Sequence, residues 1–222
     1  MRNIHIIHAS RGRASQAEQT YRNWSQLLSM GDSYTVAIEA DQLHDYRHLP
    51  TLVVPSKTAI SAFNLAAQVL SSKFKESDII IALSDDFPIP CDLDLIRDAV
   101  DAEGLLKTYD GVQNWIVTLP IMGAVYYQNK GYIYPPQYSH MFADTHITHE
   151  AEIEGRLQFR NDITIKHYHY STGGSAKDEL NDRNDKTWNQ GLEAYTLWAK
   201  DKPKPQSRES QPHVNWMKQN GF

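Results

Sequence analysis

The chain has 222 residues, 41% hydrophobic and 22% charged, which suits a single globular domain. A net charge of −5 gives no global basic field for a polyanion, and one cysteine, Cys91, excludes an internal disulfide or a cysteine-based zinc knuckle. No apolar run approaches the roughly 20 residues that span a bilayer, and MRNIHIIHAS lacks the core and cleavage site of a signal peptide, so the expected compartment is cytoplasmic.

NIHIIHAS reads as a first strand, apolar at Ile4, Ile6 and Ile7, that breaks at SRGR, residues 10–13. Ala17, Tyr21, Trp24 and Leu28 follow at helical spacing. Residues 34–38 form a second strand ending on Glu39 and Asp41, and TLVVPS a third, closed by Pro55. Ile60, Phe63, Ala67 and Leu70 mark an amphipathic helix between Thr58 and Ser72, which leads into the continuous apolar run DIIIAL. Strands alternating with helices predict an α/β fold whose largely parallel sheet is covered on both faces, the setting in which a strand is apolar throughout. A further helix is expected over 93–100 and a strand over 114–121. The aromatic stretch AVYYQNKGYIYPPQYSHMFAD predicts an irregular, site-shaping segment with short strands. DITIKHYHY, residues 162–170, alternates as a strand and stops at the flexible STGGSAKDELNDRND. Trp188, Leu192, Tyr195 and Trp198 share the face of a last helix, and KDKPKPQSRESQP reads as a polar tail.

In open α/β sheets, ligands bind outside the carboxyl ends of the strands. Here those ends carry Ser10, Arg11 and Arg13, then Glu39 and Asp41, then Ser56 and Lys57, then Ser84, Asp85 and Asp86. SRGR is too short for a P-loop and no G-x-G-x-x-G is present, so a P-loop NTPase or a simple NAD enzyme is not supported. Adjacent carboxylates repel unless a cation lies beside them, and hard oxygen ligands favour Mg²⁺ or Mn²⁺. The plainer alternative for Asp85 and Asp86 is a cap on the next turn. His167 and His169, two apart on a strand, point the same way, and one of them is the candidate to join Asp86 on a metal. Asp144 suits a general base for an acceptor hydroxyl, and Lys177, Arg183 and Lys186 suit a lid over a diphosphate or, equally, a solvated charged loop.

Taken in order, HASRGR, AISAFNLAAQ before SDDF, GYIYPPQYSHMFADTHITHEA, and HYHY followed by KDELNDRND resemble a GT-A-fold glycosyltransferase. The likeness is to glycosyltransferase family two, especially its small stand-alone members common in bacteriophage genomes. The resemblance runs from Ile4 to about Trp198. It implies a Rossmann-like GT-A fold, a mixed, mostly parallel central sheet flanked by helices in one domain. The catalytic domain would cover 1–200, with a nucleotide-sugar half at 1–110, an acceptor and metal half at 111–200, and a polar tail at 201–222.

The same resemblance implies that Asp85 contacts a nucleotide sugar and that Asp86 ligates Mn²⁺ or Mg²⁺, completed by His167 or His169. Ser10, Arg11 and Arg13, with Glu39 or Asp41, would hold the nucleoside, and Lys57 and Asn64 would lie near the ribose and donor sugar. Asp144 would be the base, with His146 as its substitute, because Ala143 stands where the family has an acid. Ser84 also replaces an acid, which weakens a ribose contact. The implied reaction is transfer with inversion from a nucleoside-diphosphate sugar, a UDP-sugar by expectation, to a glycan, a glycolipid or a hydroxymethylated DNA base. The competing readings are a metal-dependent phosphoester hydrolase built on Asp85, Asp86, Asp144, His146, His167 and His169, and a binding module that has lost activity.

Overall fold

The computed structural model describes residues 2–170, 173–174 and 176–221. In chain order the elements are β1 (Ile4–Ala9), α1 (Ala14–Ser25), β2 (Ser33–Ile38), α2 (Leu43–Tyr46), β3 (Thr51–Val53), α3 (Ala59–Leu70), β4 (Ile79–Leu83) and α4 (Leu93–Ala99). They continue with β5 (Leu105–Tyr109), β6 (Ile121–Gly123), α5 (Ala124–Lys130), α6 (Ala143–Ile153), β7 (Leu157–Thr164), α7 (Glu179–Asp185), α8 (Trp188–Ala199) and α9 (Gln211–Gln219). The strands make one seven-stranded sheet in the order β3-β2-β1-β4-β6-β5-β7. Only β6 runs against its neighbours β4 and β5; the other pairings are parallel. The protein is thus an α/β protein with a mixed, mostly parallel sheet flanked by helices.

Period-two alternation divides the apolar strands between two cores. On β4, Ile79, Ile81 and Leu83 enter one core with residues of α1, α2 and α4, whereas Ile80 and Ala82 enter the other with residues of α3, α5, α6, α8 and α9. Burial on both faces is what makes IIIAL apolar at every position. The helix α3 starts where it does because Thr58 and Ser61 form a reciprocal capping box, each side chain meeting the other's backbone N–H.

Several sequence expectations are corrected. The stretch 114–120 is a loop, with strand only at Ile121–Gly123; the Val117 N–H goes to Thr148 Oγ1 at 2.9 Å instead of to a sheet neighbour. AVYYQNK is not irregular but helix α5, closed by Gly131 in the left-handed region at φ 73°. β7 ends at Thr164, so His167 and His169 lie on an extended strap beyond it. KDELNDRND is partly helix α7, and of the glycine-rich stretch before it, Ser171, Thr172 and Ser175 lie outside the described residues. The polar tail contains α9, whose Val214 and Met217 are buried. Among the described residues no helix is long and apolar enough to cross a membrane.

Candidate active site

Strand order turns at β1 and β4: β2 and β3 extend from one side of β1, and β4 lies on the other. A cleft of about 560 Å³ opens there, walled by the residues that follow β1, β2 and β4 and by α7, α8, α9 and the turn before α6. Ser10, Arg11, Arg13, Glu39, Ser84, Asp85, Asp86, Asp144, His167, His169 and Arg183 all line it.

The two adjacent aspartates have different environments. Asp85 turns inward and is 9% exposed. Its Oδ1 accepts from His8 Nε2 at 2.9 Å and its Oδ2 from Ser10 Oγ at 2.9 Å. Behind them, Tyr46 donates to Ser10 Oγ at 2.8 Å while accepting the Arg13 N–H at 2.9 Å, and His8 Nδ1 lies 2.7 Å from the Tyr34 hydroxyl. This buried network ties the end of β4 to the turn after β1, and it occupies both Asp85 oxygens.

Asp86 faces the cleft. Its Oδ1 accepts from Arg13 Nη1 at 3.1 Å, and its Oδ2 lies 4.0 Å from His167 Nε2. Burial raises its carboxyl above the ordinary value, Arg13 opposes that shift and Asp85 adds to it. Tyr168 N–H donates to the Asp86 carbonyl at 2.8 Å and His167 N–H to the Asp110 carbonyl at 2.9 Å, which is how the strap carries both histidines to the end of β4. The His167 ring stacks on Phe87 at 4.5 Å and lies 5.1 Å from the His169 ring. Burial first, then the neighbouring His169, lowers His167 to about 4, so it is a neutral imidazole at neutral pH.

Arg13 reaches further. It forks onto Asp178 at 2.8 and 2.9 Å and donates to Asn181 Oδ1 at 3.2 Å. Asp178 caps α7 by accepting the Asn181 N–H at 2.9 Å, so one guanidinium joins Asp86 to the start of that helix. Arg11 is paired with Glu39 and, through two hydrogen bonds of 3.2 and 2.9 Å, with Asp41.

Asp144 stands in the first turn of α6, partly buried at the cleft wall. Its Oδ1 accepts the Thr145 N–H at 2.7 Å. Burial raises its carboxyl above the ordinary value, against the Thr145 hydrogen bonds that lower it. A carboxylate so raised is a stronger base than one in water.

Six predicted residues do not line the cleft: Lys186, which follows α7, and five whose partners are clear. Asp41 sits behind Arg11. Exposed Lys57 offers its carbonyl to Arg183 Nη2 at 3.0 Å. The Asn64 side chain is consumed in holding the 133–134 backbone, accepting from Ile133 and Tyr134 N–H at 2.9 and 3.1 Å and donating to the Tyr134 carbonyl at 2.7 Å. Lys177 pairs with Asp182 and Asp185 at 2.8 Å each. His146 is buried against Trp198, ring centroids 3.8 Å apart, with Nδ1 2.8 Å from the Tyr138 hydroxyl; it does not reach the position of a substitute base.

The sequence reading also missed members of the site. His140, Phe142, Trp188, His213 and Trp216 line the cleft. Burial lowers His140 to about 4, and its Nδ1 is buried with no hydrogen-bond partner among the described residues. The pattern D-x-x-N at residues 178–181 was a readable helix-start signal, and Val214 with Met217 was a short apolar pair at helical spacing. Among the described residues, no group of three or more His, Cys, Asp and Glu side chains is arranged to hold a metal by itself. No family model and no curated protein matches the chain.

Proposed function

We propose that the protein is a metal-dependent, inverting glycosyltransferase that moves a sugar from a nucleoside-diphosphate sugar, a UDP-sugar by expectation, to an acceptor hydroxyl. The observation that carries this reading is the pairing, across one cleft, of strand-end Asp86 facing His167 and a second carboxylate, Asp144, whose pKa is raised. The mixed, mostly parallel sheet is of the kind the GT-A resemblance implies.

The residues that would hold Mn²⁺ or Mg²⁺ are Asp86, through a carboxylate oxygen, and His167, through a neutral imidazole 4.0 Å from it. Mg²⁺ is commonly held by one or two protein ligands together with substrate phosphates and water, so Asp86 and His167 would be its protein donors. The bound ion would offset the charge of the leaving nucleoside diphosphate. Asp144 removes the acceptor hydroxyl proton as that oxygen attacks the anomeric carbon, and the bond from that carbon to the diphosphate oxygen breaks with its electron pair leaving on the diphosphate. Acceptors compatible with this chemistry are a glycan, a glycolipid or a hydroxymethylated DNA base. The hydrolase and inactive-module alternatives have no specific observation in their favour.

Thermal unfolding with UDP-glucose and other nucleotide sugars plus Mn²⁺ tests the binding half of this reading. Saturation a hundredfold above Kd adds about 2.7 kcal/mol, which raises Tm by about 5–10 °C in a chain of this size. The Asp86→Ala variant should fold and show no such rise. Equal rises in both proteins, or none in the wild type with any nucleotide sugar, would contradict the proposal.

A further inference from the structure

Phe142 is the one non-glycine with positive φ among the described residues, at φ 69° and ψ 0°. A bulky side chain holds that left-handed conformation only where its surroundings impose it. Phe142 is the N-cap of α6, its carbonyl accepts the His146 N–H at 2.9 Å, and Asp144 follows two residues later.

The helix α8 imposes it. Gly191 lies so close to the turn that a Cβ there would meet the Met141 carbonyl oxygen at 2.3 Å and the Phe142 ring at 3.2 Å. Trp188 and Tyr195, three residues before and four after Gly191, share its helical face and hold the Phe142 ring at centroid distances of 4.9 and 6.0 Å. Thr187, the N-cap of α8, accepts the Met141 N–H on Oγ1 at 3.2 Å while donating to the Asn184 carbonyl at 2.7 Å. Glycine inside a helix weakens it, so Gly191 is spent on close approach.

We infer that Phe142 and Gly191 are positioning residues: the socket on α8 fixes the 141–142 turn and thereby sets where the first turn of α6 delivers the Asp144 carboxyl. This rests on the reading of Asp144 as the base. Gly191 lies outside the lining of the cleft and Phe142 forms part of its wall; both act on Asp144 through the direction in which the chain enters α6. A displacement on the order of 1 Å at a reacting group costs about 100-fold in rate.

The test compares the wild type with Gly191→Ala, Phe142→Gly and Phe142→Tyr, with Asp144→Asn as control. The first readout needs no substrate: the Asp144 ¹³Cγ resonance, assigned by its loss in Asp144→Asn, is followed with pH. In Gly191→Ala and Phe142→Gly the resonance should move and its midpoint fall toward the ordinary carboxylate value, while Phe142→Tyr, which keeps the ring, stays near the wild type. The second readout is acceptor-dependent UDP release from UDP-glucose with Mn²⁺ and a hydroxymethylated DNA or glycan acceptor that receives the sugar, where kcat should fall about 100-fold in the two disruptive variants with donor KM unchanged. A wild-type resonance in both disruptive variants overturns the inference, and so does a lowered Tm with kcat intact. Full activity in Asp144→Asn overturns the base assignment instead, so the two failures are distinguishable. Should Gly191→Ala not fold, Phe142→Gly alone decides, because glycine adopts the required φ freely.

Discussion

Asp144→Asn is expected to lower sugar transfer by about 10²–10⁴-fold, the usual contribution of a general base, while leaving the protein at least as stable as the wild type. The asparagine can still accept the Thr145 N–H that Oδ1 now accepts at 2.7 Å, so the first turn of α6 keeps its local bond. What disappears is a charge that the surroundings disfavour. Burial raises the folded-state pKa of Asp144 above its unfolded value, so folding favours the protonated form. Its stabilising contribution is therefore complete below the ordinary carboxylate value and is lost as pH rises through the raised folded value. Across that window the wild-type Tm should fall relative to the variant, and kcat of the wild type should rise with the same ionisation. A variant that loses activity through unfolding would show the opposite order of Tm, and one that keeps its activity would remove Asp144 from the chemistry.

Asp85→Ala should have the largest effect on stability at the site, about 2–5 kcal/mol in denaturant unfolding, the scale of leaving two buried hydrogen-bonding groups without their acceptor. Its neighbour Asp86→Ala should cost far less. The reason is the direction in which each carboxylate points. Removing Asp85 strands His8 Nε2 and Ser10 Oγ, two buried groups that both donate to it, and loosens the Tyr46 hydroxyl behind them. Asp86 is partly exposed, and the Arg13 guanidinium that contacts it keeps its fork onto Asp178 when Asp86 is gone. Unfolding midpoints of the two variants measure this directly. Equal losses would mean that Asp85 is not the buried anchor between the end of β4 and the turn after β1.

The same pair shows how far the sequence could be read. DIIIAL ending on SDD located the strand end and the cleft, because a strand buried on both faces is apolar at every position and its terminal acids stand out. Which acid faces inward was not legible, since His8 and Ser10 are distant in sequence and meet Asp85 only through the parallel pairing of β1 with β4. β5 was hidden by Lys107, a charge in mid-strand. That lysine is 1% exposed, burial lowers it to about 8, and its ammonium donates to the Thr108 carbonyl. NWIVTLPI had the composition of a strand, but Thr148 captures a backbone donor and Pro120 supplies none. His167 and His169 were found through their spacing although they lie beyond the strand; backbone bonds from the strap to Asp86 and Asp110 bring them in. Asn64 and His146 were drawn from motif position alone, and tertiary partners claim both. The aromatic wall of Phe142, Trp188 and Trp216 joins residues from three separate elements, a convergence no local pattern encodes.

Incubation of the purified protein with a panel of nucleotide sugars and Mn²⁺, offered simple sugars, glycans and hydroxymethylated DNA and read by mass spectrometry, tests the proposed chemistry most directly. A product one sugar heavier than its acceptor, with stoichiometric nucleoside diphosphate, lost on chelation and in Asp86→Ala, is the expected result. Release of inorganic phosphate or nucleoside monophosphate without any glycosylated product, undiminished in Asp86→Ala, would contradict it.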